Sequence, residues 1–174
     1  AARFAIEYSL AALWLSMGMV PSVVVGQGLG EFVAACVAGV FGLEEAFKLV
    51  LAPSRSSASS AGFKAFAEAE VDFASPQVMF ASASTGKLYS AAGGDVLGAD
   101  HWAGVAAAAS DGLSDALQAL LESQCSICVD LGAGGRLNRE LSRLRVQNSA
   151  EQPLLLSSDR GSGQRLPLLQ SMAV

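Results

Sequence analysis

Apolar positions recur at helical spacing near the start of the chain, at Phe4, Tyr8, Ala11 and Leu15, and predict a helix that Gly18 closes. A β-branched run, Val23 to Val25, predicts a short strand. A glycine turn, "GQGLGE", follows at once, and "EFVAACVAGV" predicts a helix after it. "GLEEAFKLVLA" predicts another helix, stopped by Pro53. The pattern then breaks. "PSRSSASSAG" offers little to bury and reads as a linker or exposed loop. Beyond it, "FKAFAEAEV" predicts a short helix, "PQVMFASAS" a strand and "TGKLYSAAGG" a turn-rich connection. Helical stretches follow around Trp102 and from Asp111 to Glu122, then "SICVDLGAGG" as strand and loop and "RLNRELSRL" as a helix. Strands alternating with helices predict an α/β domain whose sheet is mainly parallel and flanked by helices. No internal repeat is visible.

Composition sharpens this picture. The chain of 174 residues is 52% hydrophobic and only 16% charged, with a mean hydropathy of +0.42. That profile suits a domain covered on two sides and excludes disorder. The longest apolar stretch, "FVAACVAGVFGL", lies between Glu31 and Glu44 and is too short for a membrane span. Arg3 precedes an apolar run as in a signal peptide, but Glu7 interrupts it and no cleavage site follows, so no targeting segment is read. The apolar end "LPLLQSMAV" lacks a cap, which predicts that the natural chain continues past Val174.

The net charge of −5 argues against nucleic acid as a partner. The one basic cluster, Arg136, Arg139, Arg143 and Arg145, is spaced as a solvated helix face. Cys125 and Cys128 form C-x-x-C, but "SICVDL" reads as a buried strand, whose residues three apart point to opposite faces. Core packing is expected for both. A zinc site would have only Cys36 and the single His101 left to complete it, so no metal and no cofactor are expected. With no disulfide framework visible, the chain reads as cytoplasmic.

Two glycine loops invite cofactor readings. "GQGLGE" starts like a dinucleotide fingerprint, but its third glycine would fall at Glu31, a carboxylate beside the pyrophosphate. "VDLGAGGRL" starts like a methyltransferase turn, but its third glycine would fall at Arg136. A nucleophile elbow accounts for more. There the central residue is held in strained backbone geometry between strand and helix, with glycines two before and two after. Gly26 and Gly30 hold those flanking places, and the nucleophile's own place is Gly28. Glycine relieves the strain at such a centre, so the loss of a nucleophile there should stabilise the fold.

"VVVGQGLGEFVAACVAGVFGLEEAFKLV" closely resembles the acyltransferase domains of polyketide synthases and the related malonyl-CoA:ACP transacylases, which carry a strand, G-H-S-x-G-E-[YF]-x-A-A and an Ala/Gly-rich helix pair. The likeness continues in order. "PQVMFASASTGKLY" resembles the family's S-x-x-T-G-x-L turn, "DHWAGVAAAASDGLSDALQALL" its Y-W helix region, "CVDLGAGGRLNREL" its h-x-E-h-G-P segment, and "LPLLQS" the start of its trailing linker.

The resemblance implies a Ser nucleophile, a His base, an oxyanion hole that includes the N–H after the Ser, and an Arg for the malonyl carboxylate. Carried over, the nucleophile falls on Gly28 and the motif His on Gln27, while Leu29 keeps the oxyanion N–H. The Arg position falls at or beside Pro53, with Arg55 a near miss. The family's small ferredoxin-like subdomain and its F-H-S-P segment are missing between "APSRSSASSAG" and "FKAFAEAEV", and its N-terminal strand with a G-Q-G-S-Q turn is absent before Ala1. Substitutes fail: His101 takes the Tyr place of the Y-W pair, Cys36 lies inside an apolar helix, and Ser22 precedes the strand.

The implied division is an elbow-bearing half at 1–52, a Ser/Ala-rich loop at 53–62 replacing the small subdomain, the remaining core at 63–150 and the start of a post-acyltransferase linker at 151–174. The function expected is a catalytically inactive acyltransferase-like structural domain of a polyketide or fatty-acid synthase megasynthase. Its expected partners are the neighbouring domains, a ketosynthase and an acyl carrier protein. The alternative is an acyl-CoA:ACP acyltransferase or acyl hydrolase of altered mechanism. A weaker third reading is a small-molecule or methyl-donor binder using Gly132 to Gly135.

Overall fold

The computed structural model describes residues 1–55, 59–107, 112–123, 125–132, 135–147 and 153–157. Helix α1 (Ala2–Ser16) ends at Met17, with Gly18 at φ +90° beyond it. Its buried stripe is Phe4, Glu7, Ala11 and Trp14. The apolar spacing placed Leu15 on that stripe, yet Leu15 is 43% exposed and a carboxylate, Glu7, is buried instead. Strand β1 (Val23–Gly26) leads into α2 (Leu29–Ala38), which Gly39 closes in the left-handed conformation.

Helix α3 (Leu43–Arg55) is anchored at its start by Glu45, whose Oε2 accepts from the Gly42 N–H at 2.7 Å. It does not stop at Pro53. A proline this near the end removes a single intrahelical bond, so the last turn survives and closes two residues later. Helix α4 (Ser60–Glu70) starts on Ser59, whose Oγ accepts from the Gly62 N–H at 3.2 Å. The Ser/Ala-rich stretch expected as a loop over 53–62 is therefore mostly helix ends. Only 56–59 separate α3 from α4, too few residues for a subdomain.

Strands β2 (Met79–Ser82) and β3 (Leu88–Tyr89), helices α5 (Ala99–Ala106) and α6 (Leu113–Glu122), strand β4 (Ile127–Asp130), helix α7 (Arg136–Gln147) and strand β5 (Leu154–Ser157) complete the described chain. β1 and β2 pair in parallel, Val23 opposite Met79 through Gly26 opposite Ser82, and β2 pairs antiparallel with β3. β4 and β5 form a second parallel pair, Ile127 opposite Leu154 through Asp130 opposite Ser157. The fold is α/β with mainly parallel pairing, as expected. β3 lies inside the predicted turn-rich connection, and β5 inside residues 151–174, the stretch the resemblance assigns to a linker. The apolar tail "LPLLQSMAV" lies outside the described residues.

Alternation along β1 divides the interior. Val24 and Phe80, which are register partners, face a core of α1 to α5 that includes Phe4, Phe32, Leu49 and Phe63. Trp102 sits at its centre, fully buried, with ring contacts to Phe32, Phe41 and Phe80 and its indole N–H donated to Leu97 O at 2.8 Å. Val23 and Val25 face the other way, onto Leu113, Leu117 and Leu120 of α6 and Leu141 of α7. Cys128 of β4 and Leu155 of β5 pack against this same second cluster. Both sheets thus rest on one floor of helices.

Candidate functional site

The glycine turn is a tight strand-to-helix elbow. Gly28, the residue before the first turn of α2, has φ +57° and ψ −120°. This conformation costs an L-residue energy that glycine does not incur. Inside the turn, the Gly30 N–H donates to Gln27 O at 3.1 Å and the Glu31 N–H to Gly28 O at 3.0 Å. The Leu29 N–H opens the helix, where no preceding turn supplies a carbonyl. A Cβ on Gly26 would lie 2.1 Å from Gly30 O, whereas one on Gly30 would make only an ordinary 3.5 Å contact with Glu7 Oε2. Gly26 therefore carries the close crossing, and Gly30 does not share that constraint. A Cβ on Gly28 would meet nothing within 4 Å.

That open space belongs to a cavity of about 880 Å³ lined by the elbow, β1, α1, α2, β4 and the start of α7. Glu7 lines it nearly buried and accepts from Arg3 Nε at 2.7 Å. On the far wall, Asp130 is buried and its two oxygens accept from the Gly132 N–H at 2.9 Å and the Asn138 N–H at 3.1 Å. The second glycine loop thus already holds a carboxylate at the head of α7, where a phosphate would have to sit. Residues 133 and 134 of the proposed Gly132-to-Gly135 binder lie outside the described residues.

Behind the elbow, Glu31 is fully buried. Its Oε1 accepts from the hydroxyls of Ser82 and Ser84, with Ser84 at 3.0 Å. His101 Nε2 lies 3.3 Å from the same oxygen without forming a well-directed hydrogen bond, and its ring stands edge-on to Trp102 at 4.8 Å. This cluster was not predicted as a unit. The signal for it was Glu31 itself, a charge inside an otherwise apolar helix. Ser82 is as buried as Glu31, so the hydroxyl has no route to a substrate.

The other candidates are scattered. Cys36 is half-buried, its Sγ 3.6 Å from Gly42 O. Burial, helped by Glu45, pushes its thiol up from 9.0 to about 12, so it is not a thiolate nucleophile. Ser22 is exposed at the opposite end of β1 from Gly28. Pro53 and Arg55 lie in the last turn of α3. Arg136, Arg139 and Arg143 are exposed on α7, as the spacing predicts, and Arg143 lies 3.4 Å from Glu140.

The cysteine expectation needs correction. Cys125 and Cys128 do not point apart: their sulfurs are 3.5 Å from each other. Strand geometry begins only at Ile127, so Cys125 lies outside the strand and its side chain is not bound by strand alternation. Nor is β4 a buried strand, since Ile127 is 51% exposed.

Residues 1–90, just over half of the chain, match the sequence family described as acyl transferase domain. Over 50 residues the chain is 58% identical to orsellinic acid synthase armB of Armillaria mellea, which covers 29% of this chain and 2% of that protein. Over 54 residues it is 56% identical to erythronolide synthase EryA3 of Saccharopolyspora erythraea, covering 31% of this chain and 2% of the relative. The chain thus matches only a small part of these large relatives. The acyltransferase domain from the second module of the salinomycin polyketide synthase superposes with a TM-score of 0.77 over 98% of this chain and 57% of that one, at 21% identity. The acyltransferase domain of phenolphthiocerol/phthiocerol synthase A from Mycobacterium bovis (BCG) has a TM-score of 0.69 over 90% of this chain at 13% identity. These last two likenesses are of fold.

Proposed function

The chain belongs to the acyl transferase domain family of polyketide synthases, and we propose that it is a catalytically inactive member, serving a polyketide or fatty-acid synthase megasynthase as structure. The observation that carries this reading is Gly28, which keeps an elbow's backbone at φ +57° and presents no side chain to the cavity beside it. A covalent acyl transfer begins with an activated nucleophile and a base in hydrogen-bond reach of it. At this elbow the nucleophile's place is hydrogen. Gln27 stands at the motif His position and is not a base. The sequence has a single histidine, and His101 is walled in by Glu31 and Trp102 and does not line the cavity. Cys36 holds its proton, and Ser82 is buried. Pro53, at or beside the carboxylate-binding position, offers no charge.

What the elbow retains is the Leu29 N–H at the head of α2, with Gly26 and Gly30 around it. Preorganised donors of this kind stabilise a developing oxyanion, but here no covalent step supplies one. That retained donor is the observation favouring a second reading, an acyltransferase or acyl hydrolase whose nucleophile comes from elsewhere. In the structural reading, the partners are the neighbouring ketosynthase and acyl carrier protein, and the surviving scaffold holds their spacing. Intact-protein mass spectrometry after incubation with acetyl-, malonyl- or methylmalonyl-CoA tests the choice. The structural reading expects the unmodified mass with all three. A Gly28→Ser variant, which restores the hydroxyl without a base, is expected to give no steady-state turnover.

A further inference from the structure

We propose that Cys125 and Cys128 form a dithiol modification site, which a small disulfide of the glutathione type oxidises to a bond between their sulfurs. The two Sγ atoms are 3.5 Å apart, each residue is half-buried, and both line the cavity beside β1. A disulfide spans about 2.05 Å, so the sulfurs must approach by about 1.5 Å, a displacement within the range of side-chain torsions.

The backbone around the pair is already held. Cys128 lies in β4, opposite Leu155 of β5. Ser126, between the two cysteines, accepts at its carbonyl from the Leu154 N–H at 2.8 Å. Cys125 Sγ donates to Leu120 O, in the last turn of α6, at 3.7 Å. One cysteine is thus fixed by a strand pair, and the other follows directly before a residue that the same pair ties down. Bringing the sulfurs together costs little further order.

Other uses of the pair fit less well. Pure core packing does not suit a spacing whose two middle residues, Ser126 and Ile127, are both exposed. A metal site needs more than two sulfurs, and among the described residues no third His, Cys, Asp or Glu joins them. Cys36 does not compete, because it packs against the core on the other face of β1 and burial pushes its thiol up to about 12.

In the reaction, the thiolate of one cysteine attacks a sulfur of glutathione disulfide, and one glutathione leaves as a thiolate that takes up a proton from solvent. The second cysteine, losing its own proton, attacks the protein sulfur of the mixed disulfide and displaces the second glutathione. Two protein thiols are oxidised by two electrons in all, and one glutathione disulfide is reduced to two thiols. A loop with two intervening residues removes little chain entropy, so an excess of reduced glutathione reopens the bond.

The test equilibrates the reduced full chain with glutathione disulfide, quenches it in acid, alkylates it in denaturant and maps the peptides by mass. A loss of two hydrogens, a bond joining Cys125 to Cys128 and full alkylation of Cys36 are expected. The mixed disulfide should stay below about a tenth of the product, because the second thiol acts at high effective concentration. Cys128→Ser, which lacks that thiol, should accumulate the mixed disulfide at Cys125 instead. Any C-x-x-C peptide closes to some extent, so the equilibrium is repeated in urea, and the folded chain should favour the bond at least about tenfold. Both thiols still alkylated, two glutathiones added without closure, a bond to Cys36, or equal closure in folded and unfolded chains would each overturn the proposal.

Discussion

A methyl group on Gly26 would sit 2.1 Å from Gly30 O, and one on Gly28 would touch nothing within 4 Å. These glycines stand two residues apart and are constrained by different physics, one by space and the other by φ. Gly28→Ala is expected to lower unfolding free energy by about 1–2 kcal/mol, the cost of a positive φ for an L-residue. Gly26→Ala must displace backbone, and a loss of about 4 kcal/mol or more is expected. Urea titrations of the two variants check the order; equal losses would contradict it. Cys36 gives a prediction with a pH sign. Its thiol is raised from 9.0 to about 12 in the folded chain. The proton it retains contributes stability that is fully present below pH 9.0 and is lost as pH rises through about 12. Iodoacetamide at about pH 8.5, near an ordinary thiol pKa, should therefore label Cys36 much more slowly than free cysteine, as peptide mapping would read.

At the scale of elements, strands and helices with strong local signals were legible in the sequence. β1 announces itself by three consecutive valines, α1 by its period, and the elbow by glycines at fixed offsets. What the sequence hid depends on distant pairing. β3 is two residues long and exists because Leu88 and Tyr89 find the edge of β2. β5 reads as an apolar run in a linker until β4 is placed beside it. Glu7 reads in the sequence as the interruption of an apolar run, yet in the fold it is buried, paired with Arg3 and close to the glycine loops at Gly30 and Gly132. Likewise the C-x-x-C spacing predicts opposite faces only if both residues lie in the strand, and Cys125 does not. The helix boundary near Ser59 is a local matter and can be tested as one. Ser59→Ala removes the side-chain acceptor of the Gly62 N–H, which keeps Ser59 O at 2.9 Å, and should cost about 0.5–1 kcal/mol. Ser59→Asp, which keeps an acceptor there, should restore most of it. A thermal melt of both variants decides.

For the whole molecule, the proposed reading separates scaffold from chemistry. A hydrophobic cluster lies on each face of β1, the elbow keeps its backbone, and Glu31 keeps its two hydroxyl partners. These are the features that hold β1, α2 and β2 together. On the proposed reading, the side chains that would do acyl transfer are missing at Gly28, at Gln27 and at or beside Pro53; Ser22, Ser126, Cys125 and Cys128 also line the cavity, and an acyl adduct on any of them would sink that reading. The match to the acyl transferase domain family and the fold likeness to the salinomycin domain agree with retention of the frame; they do not speak to turnover. The decisive measurement is therefore the mass of the intact protein after incubation with acetyl-, malonyl- and methylmalonyl-CoA. The account predicts an unchanged mass with every thioester, in a chain shown to be folded by its melt. A stable acyl adduct on any residue of the folded chain would contradict it.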